Sequence, residues 1–223
     1  MPRTSLPLLA FAIALVMAGG VSAAPAVSVG AMLAEKGNAN GAAPCMSCHG
    51  ARGEGTAAAG FPRLAGLSGP YMERQLAAFA DGSRESPVMA PIAKALSAEE
   101  RRAASAYYAA LPFAQQFTAP ADAAEAGAVL ATRGRWEKEP IPGCEQCHGP
   151  NGVGVGDAFP PLAGQPAAYI AQQLEAWRDG KRPPGPLELM RVVASRLSPQ
   201  DIDAVAKYFG AVTPRATGKA ATR

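Results

Sequence analysis

Two tandem copies of one small all-α unit are what this sequence predicts, on three observations. Apolar residues recur at helical spacing, no run of alternating β-branched residues marks a strand, and the whole order of segments occurs twice. Each copy opens on a matching octet, GAMLAEKG from Gly30 and GAVLATRG from Gly127. GFPRLAGLSGPYMERQLAAFADGSR, from Gly60, then lines up with AFPPLAGQPAAYIAQQLEAWRDGKR, from Ala158. Within that pair, Tyr71, Met72, Gln75, Leu76 and Phe79 share a helix face, as do Tyr169, Ile170, Gln173, Leu174 and Trp177. Gly82 and Gly180 stand where those helices should stop. The last helix of each unit is marked at its start. Ser97 and Glu100 have the form of a capping box, and Ser198 precedes Pro199 at a first helical position. The Gly- and Pro-rich stretches between helices read as loops wrapped around something. Each unit therefore has about three helices and long loops, a thin core that needs help from a bound group.

The 223 residues suffice for two such units. A formal net charge of +3 is too weak a basic bias to suggest nucleic acid, no Lys/Arg run or interleaved aromatics support it, and no nucleic-acid partner is expected. The first residues run from a single Arg3 through an apolar stretch, LLAFAIALVM, to small residues ending at Ala23. That is the order of a cleaved export signal, and the stretch is short against the roughly 20 residues a spanning helix needs. The expected division is a signal peptide at 1–23, a first domain at 24–118 and a second at 119–223. Pro112 and Pro120 bracket the linker, and the polar tail TPRATGKAATR is expected to fray.

All four cysteines and both histidines fall in two copies of one motif, Cys45-x-x-Cys48-His49 and Cys144-x-x-Cys147-His148. A disulfide framework would leave the following histidine idle. Zinc would need a fourth ligand in each unit, and a thioredoxin-like pair belongs beside a βαβ pattern that is absent. Covalent c-type haem attachment uses every residue of the motif. Two thiols three positions apart reach the two vinyl groups of one haem, and the adjacent imidazole takes the proximal side of the iron. With both histidines spent, the distal ligand is expected to be a thioether. Met190 is the single methionine after the second motif, and it aligns with Met89 in the first unit. Met32, Met46 and Met72 align with Val129, Glu145 and Ile170, which could not repeat the role. The plainer alternative for any methionine is a flexible core filler.

These residues resemble the class I c-type cytochromes, specifically the two-haem cytochrome c4 type. The resemblance rests on both haem motifs, the LAG segments with the helices after them, and the Met-led stretches ending in AYYAAL and KYFGAV. It implies two class I cytochrome c domains around two covalently bound haem c groups. It also implies that the carbonyls of Pro62 and Pro160, in the family's Pro-x-Leu-x-Gly segment, accept the N–H of His49 and His148. Arg84 and Arg182 are candidates to pair with haem propionates, against the alternative of solvated surface arginines. Two departures set the units apart. Met89 precedes Ala-Pro while Met190 precedes Arg-Val, and RWEKEPIPG stands before the second motif alone.

His/Met ligation saturates the iron and raises its potential, so the expected role is electron transfer rather than catalysis. The reading is a periplasmic dihaem carrier, possible as a peripheral protein at the inner membrane. It would shuttle between a quinol-oxidising or dehydrogenase complex and a terminal oxidase or reductase. One alternative is a haem subunit of a dehydrogenase or oxidase complex. A dihaem peroxidase, needing an open distal position, is the remaining one.

Overall fold

A computed structural model describes residues 23–114, 117–121, 125–137 and 139–214. The proposed signal, apart from Ala23, and the tail from residue 215 lie outside the described residues. In the first unit, α1 (Ala23–Lys36), α3 (Gly69–Asp81) and α5 (Ala98–Ala110) are the main helices. A single turn at the motif, α2 (Met46–His49), and the short α4 (Met89–Lys94) complete it. The second unit repeats this order with α6 (Glu125–Thr132), α7 (Cys144–His148), α8 (Ala167–Arg178), α9 (Leu189–Ser195) and α10 (Pro199–Gly210). No helix among the described residues is long and apolar enough to cross a membrane.

The first and last helices of each unit pack on one another, α1 on α5 and α6 on α10. Glycine permits that approach. A Cβ on Gly30 would lie 2.2 Å from the Ala103 carbonyl oxygen, and one on Gly127 would lie 2.5 Å from that of Ala204. The repeated octet at the head of each copy thus encodes a close helix crossing. The capping box expected at Ser97 forms, and a second one forms at Ser198. Ser97 Oγ accepts from the Glu100 N–H at 3.1 Å while Glu100 accepts from the Ser97 N–H at 2.8 Å. Ser198 and Asp201 repeat the exchange at 3.1 and 2.9 Å.

Short strands were not legible in the pattern. β2 (Gly134–Arg135) and β3 (Ile141–Pro142) make a hairpin from the insertion before the second motif, and Arg135 ties it to Asp201 at the head of α10. β1 (Phe117–Thr118) pairs with β4 (Thr213–Pro214), so the first residues of the expected tail are held in a ladder. Phe117, placed in the first domain by the 118/119 division, is buried in the core of the second with Ile141, Phe209 and Val212. By packing, Phe117 belongs to the second unit, because it finds its apolar partners there. The cores are unequal. The second unit has one continuous cluster, whereas the first has two small ones, around Leu33 and Leu96 and around Met72 and Tyr108.

Candidate functional site

Each unit encloses a cavity between its motif helix and its Met-bearing helix. The first has a volume of about 520 Å³ and is walled by Cys45, Cys48, His49 and Met89 among others. The second, of about 500 Å³, is walled by Cys144, Cys147, His148 and Met190. Both fall within the range for bound organic groups, roughly 300–1,000 Å³. The Cys/His motif and the aligned methionine therefore meet across one space in each unit. Met32 is half exposed on α1 and Met46 is turned away into the first core. Met72 also lines the first cavity, and its counterpart Ile170 lines the second.

Both histidines are buried. His49 Nδ1 lies 2.8 Å from the Pro62 carbonyl oxygen, and His148 Nδ1 lies 2.8 Å from that of Pro160. A carbonyl can only accept, so Nδ1 carries the proton and Nε2 keeps its lone pair for a metal. Burial holds both imidazoles below the ordinary histidine range, partly opposed by the proline contact. A neutral ring is the form that ligates. Phe61 and Phe159 stand edge-on to the two imidazoles, at centroid distances of 6.1 and 6.0 Å. They were not singled out from sequence, although an aromatic before the key proline recurs in both copies. The four cysteines form no disulfide. Burial raises the Cys45 thiol and pushes Cys144 up to about 12.

Arg84 and Arg182 are not solvated surface residues; they are 4% and 5% exposed. Each reaches across the seam between the units. Arg84 donates to Gln75 of its own unit and to the Tyr169 hydroxyl at 3.0 Å, with Gln173 as a third partner. Arg182 answers with Gln173 in its own unit, and with the Tyr71 hydroxyl at 3.0 Å and Gln75 at 3.1 Å in the other. Tyr71, Gln75, Tyr169, Gln173 and Arg182 line both cavities. From sequence the tyrosines and glutamines were read only as members of one helix face in each copy. Their signal was a polar residue four positions after a tyrosine, repeated in both copies.

The residues present fit haem. Paired thiols, a lone-pair nitrogen and a thioether face each largely apolar space. Neither buried guanidinium has a carboxylate partner among the described residues, so each can balance an anionic edge. The Cytochrome c family matches residues 34–111 and 124–212. The chain belongs to the cytochrome c family. It is 50% identical over 188 residues to the thiosulfate dehydrogenase electron acceptor of Stutzerimonas stutzeri strain A1501, covering 82% of this chain and 86% of that one. The structure of reduced recombinant cytochrome c4 from Pseudomonas stutzeri has a TM-score of 0.68 and 34% identity, covering 76% and 93%. A thiosulfate dehydrogenase structure from Marichromatium purpuratum reaches a TM-score of 0.78 at 44% identity. That match covers 86% of this chain but 41% of the longer one. This protein is a dihaem c-type cytochrome of the c4 type, an electron carrier with two covalently bound haem c groups.

The buried arginines set an expectation for this cytochrome. Removing a cation beside a haem favours the oxidised iron, so Arg84→Gln should lower the potential of the first haem. Unit charges about 8 Å apart at an effective dielectric near 20 interact by about 2 kcal/mol, which sets the order of the shift. Spectroelectrochemical titration reads the shift, and an unchanged potential contradicts the electrostatic role.

Proposed function

We propose that this cytochrome is exported to the periplasm, accepts electrons from a thiosulfate-oxidising dehydrogenase and passes them to a membrane oxidase or reductase. The observation that carries the relay is the shared wall. Two cavities, each with His and Met on opposing helices, meet at one layer of side chains. In this reading Cys45 and Cys48 would hold the first haem, with His49 and Met89 as the ligands to its iron. Cys144, Cys147, His148 and Met190 do the same for the second. Arg84 and Arg182 balance the propionates at the seam. The chain would comprise a cleaved signal at 1–23 and two domains divided near 118/119, with Phe117 packed on the second.

Haem supplies a one-electron iron couple, and the chain supplies its surroundings. The histidines each hold one proton at Nδ1 against a proline carbonyl and keep Nε2 for the metal. The methionines would offer each iron a thioether and so keep external ligands away. The apolar walls exclude water, which limits reorganisation and favours the less charged state of the site.

The donor is argued from relatives named as electron acceptors of thiosulfate dehydrogenase, at 50% and 51% identity. The test mixes oxidised holoprotein with a purified thiosulfate dehydrogenase and thiosulfate. Rapid haem reduction, absent with thiosulfate alone, is expected. A protein that dithionite reduces but the dehydrogenase does not would contradict this donor. A second reading, a fixed subunit of the dehydrogenase, is favoured by the longer thiosulfate dehydrogenase chain that contains a similar section. Co-elution at fixed stoichiometry would select it over a free carrier.

A further inference from the structure

The pseudo-symmetry of the seam breaks at one buried pair. In the first unit Arg63 follows Pro62, whereas in the second Pro161 follows Pro160; conversely, Gln165 stands where the first unit has Leu67. Gln165 and Arg63 are 4% and 1% exposed. The Gln165 side chain pairs with the Arg63 backbone as a neighbouring strand would. Its Oε1 accepts from the Arg63 N–H at 3.0 Å, and its Nε2 donates to the Arg63 carbonyl at 2.9 Å. The Arg63 side chain also crosses the seam. Its guanidinium donates to the Ala65 carbonyl at 2.6 Å and the Ala163 carbonyl at 3.2 Å, and lies 3.6 Å from the Phe113 ring centroid.

The Arg63 N–H and the Pro62 carbonyl belong to the same peptide group. That carbonyl accepts from His49 Nδ1. A continuous chain therefore runs from Gln165 Oε1, through the 62–63 peptide, to the His49 imidazole. Hydrogen bonds in series polarise one another, by roughly 10–30% per bond. The equivalent peptide in the second unit joins Pro160 to Pro161 and has no N–H, so His148 receives no such reinforcement.

We propose that Gln165, a residue of the second unit, is a positioning residue for the proximal histidine of the first haem. By bonding the 62–63 peptide it sharpens the Pro62 carbonyl as an acceptor. A stronger Nδ1–H bond makes His49 a better donor to iron, which favours the oxidised form and lowers the potential of the first haem. The seam thus carries a signal as well as a contact, because loosening it alters a ligand on its far side. The proposal goes beyond electron carriage and rests on His49 being the axial ligand of the first haem.

The test uses Gln165→Leu holoprotein, which installs the residue found at the repeat-related position. With only two histidines in the chain, nitrogen-15 histidine labelling of the reduced protein resolves both imidazoles. The His49 Nδ1–H resonance should move upfield and exchange faster with solvent, and the first haem's potential should rise. His148 and the second haem should stay unchanged. The charge of Arg63 is present in both proteins, so it does not contribute to the difference. Gln165→Asn, too short to make both bonds, should shift the same resonance in the same direction. An unmoved His49 signal in these variants, or an equal response from His148, overturns the proposal. Absence of haem ring-current displacement at His49 in the native protein overturns the ligand assignment, and the proposal with it.

Discussion

Met190→Ala is expected to abolish the sulfur-to-iron charge-transfer absorption of one haem and leave that of the other intact. The geometry behind this is specific. Met190 stands at the start of α9, across the second cavity from His148, and among the described residues no other methionine lines that space. Met89 stands at the start of α4 across the first cavity. Met89→Ala should therefore remove the band of the first haem, whereas Met72→Leu should preserve it even though Met72 shares that wall. Losing the thioether also opens a coordination position, so carbon monoxide should bind the reduced variant at one haem per molecule. The native protein should ignore carbon monoxide, which also separates a carrier from a peroxidase. An unchanged absorption spectrum in Met190→Ala contradicts the distal assignment.

The second large effect is loss of fold without haem, and it should fall unevenly on the two units. Without haem, the largely apolar lining of a void near 500 Å³ loses its partner atoms and meets water. A unit with so thin a core cannot hold such a void open, so the walls must collapse. The first unit has least to fall back on. Its buried residues form two separate clusters with no shared centre, whereas the second keeps Ile170, Leu174, Ile202, Phe209 and Val212 in one. Replacing Cys45 and Cys48 by Ala should leave the first unit without protected amides while the second still melts cooperatively. The reverse pair, at Cys144 and Cys147, should do less damage to overall helicity. Circular dichroism melts and hydrogen exchange read the difference. A haem-free chain with one cooperative transition near that of the holoprotein contradicts this account.

What could be read from sequence was what is local or repeated. The haem motifs, the helix starts at Ser97 and Ser198, and the stops at Gly82 and Gly180 depend on residues within a few positions of one another. The pairing of Met89 with Met190 depended on the repeat alone. Contacts between the copies left no such trace. Arg84 and Tyr169, or Arg63 and Gln165, are far apart in the chain, and a repeat aligns equivalent residues without saying which of them touch. The fate of Arg84 and Arg182 was legible only as a choice between propionate and solvent; burial against the opposite unit was in neither. Two-residue strands such as β1 and β4 are too short for a period to register. Phe117 was assigned to the first domain because a linker gives no sign of which core its aromatic residue will join.

Whether two His/Met haems carry electrons in one chain is most directly tested by redox titration of the mature holoprotein with optical spectra. Two one-electron transitions are expected, each oxidised haem showing its sulfur-to-iron band and neither reduced haem shifting with carbon monoxide. A single transition of one electron per chain, or an oxidised haem lacking that band, would contradict it.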